Sequence, residues 1–326
     1  MSEVTFKEAI RQGLDEELAL DPDVVFFGED VAIAGGCFQV TPGLYESFGQ
    51  ERVFDTPISE MALSTAAFGA AAAGLRPVIE IMFADFIALA MDSLINQSAK
   101  YWYLSNGEKS IPLTVRTTVG GGGNFGALHS QIPIPWLQAI PGLKLAFPSN
   151  PYDAKALLKG SIRDDNPVVF FEHKRLYQSK GAVGGADEIL RLGEARVARE
   201  GTDLTLVSAG KSAIDCLAAA EELATLGIDC EVVDLRSMRP IDSRTIVESV
   251  QKTGRVLVVE EGPKTGGWAG EILAIVAEQA LGNIDDAWRL TLPDIPLPYS
   301  PPLEADVLPG QAAIVAQVSS RAGIIV

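Results

Sequence analysis

Histidine is nearly absent from this chain: His129 and His173 are the only two among 326 residues. An imidazole-built metal centre is therefore excluded as its main chemistry. Cysteine is almost as scarce. Cys37, Cys216 and Cys230 are widely spaced and odd in number, which excludes a closed disulfide framework and any thiolate metal spacing, and points to a reducing cytoplasm. Basic residues are outnumbered 26 to 43, for a net charge of −17. Neither nucleic acid nor an anionic membrane surface suits such a balance, since both need clustered Lys and Arg. No apolar run approaches the ~20 residues of a membrane span, and the Ala-rich stretch near residue 70 is punctuated by Gly69 and Gly74. The N-terminal MSEVTFKEAIRQ is amphipathic and lacks the apolar core of a signal peptide. A soluble, cytoplasmic protein is expected. The usual nucleophile and phosphate motifs are missing too: there is no G-x-S-x-G and no G-x-x-x-x-G-K-[ST]. Either the chain is not an enzyme, or a bound cofactor carries the hard chemistry.

What is present is a generous apolar fraction, 47%, on a length that suits two domains. Phe6, Ala9, Ile10, Leu14 and Leu18 share one helical face, and Asp21-Pro22 ends that helix. Short apolar runs at 24–27, 77–83, 111–117, 143–147 and 168–172 read as strands, with helices over 86–104 and 151–163. Gln178–Gly185 (QSKGAVGG) reads as a linker. Strands at 204–209, 230–235, 256–260 and 288–292 then alternate with helices at 212–226, 243–253 and 270–280. The expected class is α/β, two doubly wound domains, residues 1–185 and 186–326.

Three places could carry chemistry. In Arg52–Gly74, Asp55-Thr56-Pro57 signals the start of a helix of small residues, with Asp55 or Thr56 as cap and Pro57 in its first turn. Glu60 stands at the mouth of that helix, either complementing its dipole or working as a functional carboxylate. Gly121–Gly126 matches G-x-G-x-x-G, yet Pro133 and Pro135 interrupt the stretch where a helix would have to run, and no acidic residue occurs between Glu108 and Asp153. The context for a dinucleotide fingerprint fails, and a flexible loop at a ligand is the better reading. His129 comes directly after that loop, where an imidazole suits proton transfer at neutral pH; His173, among Glu172, Lys174 and Arg175, reads as surface.

In order along the chain stand Gly28-Glu29-Asp30, Asp55-Thr56-Pro57-Ile58-Ser59-Glu60, Glu80–Phe86 (EIMFADF), His129-Ser130-Gln131, Pro141-Gly142-Leu143-Lys144 and Lys252-Thr253-Gly254-Arg255. With these the chain resembles, end to end, the β subunits of thiamine-diphosphate-dependent 2-oxo acid dehydrogenase E1 components (pyruvate, branched-chain 2-oxo acid and acetoin dehydrogenases). The resemblance implies a transketolase-like pyrimidine-binding domain followed by a transketolase C-terminal domain. It also implies an α subunit, in an α2β2 heterotetramer, that carries the diphosphate and magnesium site, and an E2 lipoyl acyltransferase core that receives the product. No Gly-Asp-Gly, the start of the magnesium signature, occurs here, so the chain would hold half of an active site. By the same resemblance Glu60 bonds the aminopyrimidine ring nitrogen, Phe86 stacks on the pyrimidine and Met82 walls its pocket. His129 stands near the reacting carbon, Glu29 belongs to an acidic passage between two cofactors, and Leu113, Ser161, Asp164 and Asn166 form a potassium site. Two departures bear on substrate range: Ala139 stands where related chains often carry a second histidine, and Ile132-Pro133-Ile134-Pro135 replaces a common Ser-Pro-Glu-Ala. The Glu80–Phe86 segment is closer to acetoin and branched-chain members than to pyruvate ones. The rival expectations are an E2-independent acyloin synthase or split transketolase, and a non-catalytic scaffold subunit.

Overall fold

The computed structural model describes residues 3–323; Met1, Ser2 and residues 324–326 lie outside the described residues. The chain forms two compact units, residues 1–119 with 136–192, and residues 120–135 with 193–326.

The first unit runs β1 (Glu3–Thr5), α1 (Phe6–Leu20), β2 (Val24–Gly28), α2 (Leu44–Phe48), β3 (Val53–Asp55), α3 (Glu60–Ala72), β4 (Arg76–Phe83), α4 (Ala99–Leu104), β5 (Thr114–Val119), α5 (Ile134–Gln138, which straddles the division at 135/136), β6 (Lys144–Ala146), α6 (Pro151–Ile162), β7 (Val168–His173) and β8 (Lys180–Ala182). Local chemistry fixes several starts. Thr5 and Glu8 form a reciprocal capping box on α1, and Asn150 caps α6 with Pro151 in its first turn. Six strands pair in the order β6-β7-β5-β4-β2-β3, every adjacent pair parallel. Their apolar residues are buried on both faces. The chain reverses direction beside β2, with β3 on one side and β4 on the other.

Three expectations change here. Residues 180–182 of the expected linker are β8, paired antiparallel with β1. The single helix expected over 86–104 is a 3-10 segment (Ala84–Ala90), a π-helical segment (Asp92–Ser98) and α4; besides the Asn96 amide, the Asp92 carboxylate accepts from the Gln97 amide five residues on, a spacing that suits a π-turn. His173 is buried rather than on the surface: it ends β7, and its Nδ1 accepts from the Arg175 N–H at 3.3 Å.

In the core of this sheet Arg116 of β5 is fully buried. It donates to Glu172 of β7 through Nε and Nη2 (2.7 and 3.0 Å) and to Glu80 of β4 through Nη1 (2.8 Å). The Tyr177 hydroxyl donates to Glu172 at 2.8 Å.

The second unit contains β9 (Arg196–Arg199), β10 (Leu204–Ser208), α7 (Gly210–Thr225), β11 (Cys230–Asp234), β12 (Ser237–Arg239), α8 (Ser243–Thr253), β13 (Arg255–Pro263), α9 (Ala269–Gln279), β14 (Asp286–Leu292), α10 (Pro301–Val307) and α11 (Gln311–Ala322). The sheet order is β14-β13-β10-β11-β9. β9, absent from the sequence reading, joins antiparallel at the edge. Leu206, Val232, Leu257 and Trp288 of the sheet pack with Cys216, Leu223 and Ile314 of α7 and α11. All three cysteines are free. No helix among the described residues is long and apolar enough to cross a membrane.

Glu260, near the C-terminal end of β13, is wholly buried and accepts the Trp268 and Ala269 N–H groups at the start of α9 (2.9 and 2.7 Å). Burial dominates those two bonds and pushes its carboxyl up to about 7. Between its ordinary value of 4.5 and about 7 the folded unit therefore holds a proton that the unfolded chain has released. Stability falls as pH rises across that window and is level above it. Thermal melts of the wild type should decline over that window, and Glu260→Gln should flatten the decline. A slope unchanged in the variant would show that another group is responsible.

Candidate active site

Parallel strands deliver the residues that come after them to one edge of a sheet, and ligands of open α/β sheets bind there. Glu29 follows β2, Glu60 follows β3, and Met82 and Phe86 lie at and just beyond the end of β4. Gly28 sits in register with Asp55 on one side and Glu80 on the other, so these endings are level.

The turn into α3 differs from the sequence reading. Ser59 is the N-cap residue and Glu60 opens the helix, which leaves Pro57 outside its first turn. Asp55 is committed elsewhere, accepting from the Ala32 N–H at 2.8 Å. The Thr56 N–H bonds the Gly28 carbonyl at 2.8 Å, which ties the turn to β2, while the Thr56 hydroxyl is buried without a partner.

Glu60 is 6% exposed, and among the described residues its carboxylate has no hydrogen-bond donor. Glu29, 7% exposed, faces it. Burial raises the Glu29 carboxyl, the neighbouring Glu60 and Asp30 charges raise it further, and the Ser59 N–H pulls the other way. The Oε1 atom of Glu29 is buried with no partner. Two carboxylates thus converge with the Ser59 N–H as the one donor to the pair among the described residues, leaving acceptor oxygens unmet, a costly arrangement for a fold to keep without a use.

Met82 owes its position to a β-bulge. The β4–β5 register passes from Ile81↔Thr117 directly to Phe83↔Thr118, leaving Met82 as the extra residue. Bulges re-aim a side chain at the end of a strand, and the Met82 carbonyl is held by the Thr118 hydroxyl at 2.6 Å. Phe86 then stands edge-on to Phe83 at 6.2 Å and 88°, and Phe83 packs against Phe38 at 5.6 Å.

Glu29, Glu60, Met82 and Phe86 are therefore gathered at one sheet edge of the first unit. His129 lies in the 120–135 segment, which groups with the second unit. It is half-buried, and its N–H bonds the Gly126 carbonyl at 3.4 Å. Of Leu113, Ser161, Asp164 and Asn166, the last three are linked by hydrogen bonds, Asn166 donating to the Asp164 carboxylate, and Leu113 adjoins them through its neighbour Thr114. The Ser161 carbonyl accepts from the Thr114 hydroxyl at 3.1 Å and the Asp164 N–H at 3.3 Å. Cations of the protein already serve this place: Arg76 donates to the Ile162 and Asp164 carbonyls, and Lys144 to the Asp164 carboxylate. Among the described residues no group of three or more His, Cys, Asp or Glu could hold a metal ion. Sequence reasoning missed the Ser59 N–H and the bulge, neither of which leaves a mark in residue type.

Apolar surface borders the site. Ile58 and Met61 are 82% and 63% exposed. Beside α3 a cavity of about 390 Å³ is lined by Phe27, Phe54, Pro57, Ala62 and Ala66. Exposed apolar patches of this kind are typical of binding surfaces.

Residues 2–180 match the family described as "Transketolase, pyrimidine binding domain", and residues 193–314 match "Transketolase, C-terminal domain". The chain is thus a pyrimidine-binding domain of the transketolase type followed by its C-terminal partner domain. A solved split-gene transketolase, an inactive beta4 tetramer, shares this fold with a TM-score of 0.80 at 24% identity, covering 97% of both chains. Among curated proteins, the 2-oxoisovalerate dehydrogenase subunit beta of Bacillus subtilis is 45% identical over 93% of this chain and 94% of its own length. The beta subunit of acetoin:2,6-dichlorophenolindophenol oxidoreductase from Cupriavidus necator is 41% identical over 96% of each. The pyruvate dehydrogenase E1 component subunit beta of Bacillus subtilis is 42% identical over 92% and 93%. The chain belongs to the family of E1 β subunits of 2-oxo acid and acetoin dehydrogenases. Membership implies an oxidoreductase that works with an α subunit and uses thiamine diphosphate. The residues fit that cofactor: an orphaned buried oxygen on Glu29 and a donor-less carboxylate on Glu60 suit an aminopyrimidine that brings its own N–H groups.

Proposed function

We propose that the chain is the β half of an α2β2 E1 that cleaves a 2-oxo acid or acetoin and passes the acyl fragment to a lipoyl group on an E2 core. Bound thiamine diphosphate would supply a thiazolium carbanion for attack on the substrate carbonyl, with Mg²⁺ held mainly by the α subunit. Glu60 holds a proton at the ring nitrogen of the aminopyrimidine, and a charge-assisted bond there is roughly twice as strong as a neutral one. Glu29 beside it favours a retained proton, because burial and the Glu60 charge both penalise its ionised form. Phe86 and Met82 orient the ring and exclude water from it. His129 stabilises charge near the reacting carbon and meets the lipoyl arm. Leu113, Ser161, Asp164 and Asn166 remain the proposed potassium site, 185/186 the working domain boundary and the cytoplasm the proposed compartment.

One observation carries this reading: a buried glutamate with no donor of its own, at the strand ends beside a second carboxylate that keeps one buried oxygen unpartnered. The test reconstitutes the chain with its α partner and presents branched-chain 2-oxo acids, pyruvate and acetoin, with and without lipoyl-E2. Turnover that requires E2 is expected, with branched-chain substrates or acetoin ahead of pyruvate. Release of free acyloin without E2 would support the synthase reading instead.

A further inference from the structure

The glycine loop that precedes His129 is held by two carboxylates of the second unit. The Gly121 N–H donates to Glu261, next to Glu260 on β13, and the Asn124 N–H donates to Oε2 of Glu304 on α10 at 3.0 Å. Glu304 is 2% exposed, and its other oxygen is buried without a partner. The loop's backbone needs such restraint. Gly120, Gly122, Asn124 and Gly126 all have positive φ, and so glycine-rich a segment loses much conformational entropy when fixed in one shape. The fit is close as well: a Cβ on Gly121 would fall 3.1 Å from Leu308 and 3.2 Å from Leu297, and one on Gly126 would fall 3.2 Å from Tyr299. Each contact lies within one compact unit, and His129 stands three residues after Gly126, tied back to its carbonyl.

We infer that Glu304, seconded by Glu261, is a positioning residue for His129: it fixes the 120–129 loop and thereby where the imidazole stands during acyl transfer. The inference rests on the proposed role of His129. A carboxylate is the acceptor suited to the task, since its bonds to backbone N–H groups are short and strong. Neither glutamate touches substrate or cofactor in this scheme; their effect passes through the loop backbone.

The test uses the assembled α–β enzyme and the variants Glu304→Ala, Glu304→Gln, Glu261→Ala, His129→Ala and the double variant Glu304→Ala/His129→Ala. Glu304→Ala should speed hydrogen exchange in residues 120–129 and slow lipoyl acylation by about tenfold, the weight of a lost charged hydrogen bond. Thiamine diphosphate affinity should stay near wild type. Glu304→Gln, which keeps an acceptor oxygen, should restore most of the rate, and Glu261→Ala should repeat the defect more mildly without disturbing the buried Glu304. In the His129→Ala background, Glu304→Ala should add little, because two residues acting through one group are non-additive. Losses that multiply, or an unchanged loop and rate in Glu304→Ala beside a defective His129→Ala, would overturn the clamp alone. A His129→Ala enzyme at wild-type rate would instead overturn the role of His129, and the positioning role with it.

Discussion

Glu60→Gln, assembled with the α partner, should lose about 10²–10⁴-fold in turnover, the usual weight of a positioned acid–base group, while the complex stays intact. The substitution keeps the shape of the side chain and removes its charge. Glu60 has no donor to lose among the described residues, so the fold has little reason to notice. Ser59 supplies the helix cap position and the Thr56 N–H anchors the turn to β2, leaving α3 in place without the carboxylate. The like-charge pressure of Glu60 on Glu29 is relieved, which favours stability if it changes it at all. The check is a steady-state rate beside a melting curve and a measure of assembly. Near-wild-type turnover would remove Glu60 from the chemistry and return it to the helix dipole.

The alternation of apolar strands with amphipathic helices was legible in the sequence because each strand buried on both faces must be apolar, and each covering helix must show a stripe. The helix starts read at Pro151 and Ser243 are kept, and the structure shows Asn150 and Asp242 capping them. What escaped depends on partners distant in sequence. β1 and β8 are short, partly polar and some 175 residues apart, and nothing local in either one announces the pairing. β9 joins a sheet edge antiparallel, where alternation does not report it. The Met82 bulge exists only as a mismatch between two strands. His173 reads as surface beside three charged neighbours, yet it ends a strand in the middle of a sheet. Glu60 and His129 stood out as candidates by residue type and position, and the rest of the site only as a family pattern. That pattern singled out Glu29, Glu60, Met82 and Phe86, which lie at level strand ends in the structure, but not the carboxylates that hold the glycine loop.

Arg116→Met should be the most damaging single change to the fold, costing about 3–5 kcal/mol, the range for removing one partner of a buried ion pair. Arg116 ties three adjacent strands, with Glu80 on β4 and Glu172 on β7, and all three side chains are buried. Its own proton is held more firmly than usual because Glu172 and Glu80 outweigh the burial penalty. Burial already raises Glu80, with Arg116 holding it down. Without the guanidinium, Glu80 is left in a dry site beside the Glu172 carboxylate, and it must rise further. The folded variant then keeps a proton on Glu80 that its unfolded chain releases in the ordinary carboxylate range, so its stability falls as pH rises towards neutrality. The gap from wild type should be narrowest in mild acid and widest at neutral pH and above, as read from melting curves of the assembled enzyme. Neutralising the site as a whole, with Glu80→Gln and Glu172→Gln added to Arg116→Met, should recover part of the loss, because the stranded charges rather than the missing guanidinium dominate it. Glu80 is two residues before Met82 on the same strand, so a slackened β4 should also loosen the bulge that aims Met82. A single variant as stable as wild type at neutral pH would mean that water reaches these carboxylates and the triad does not bind the sheet.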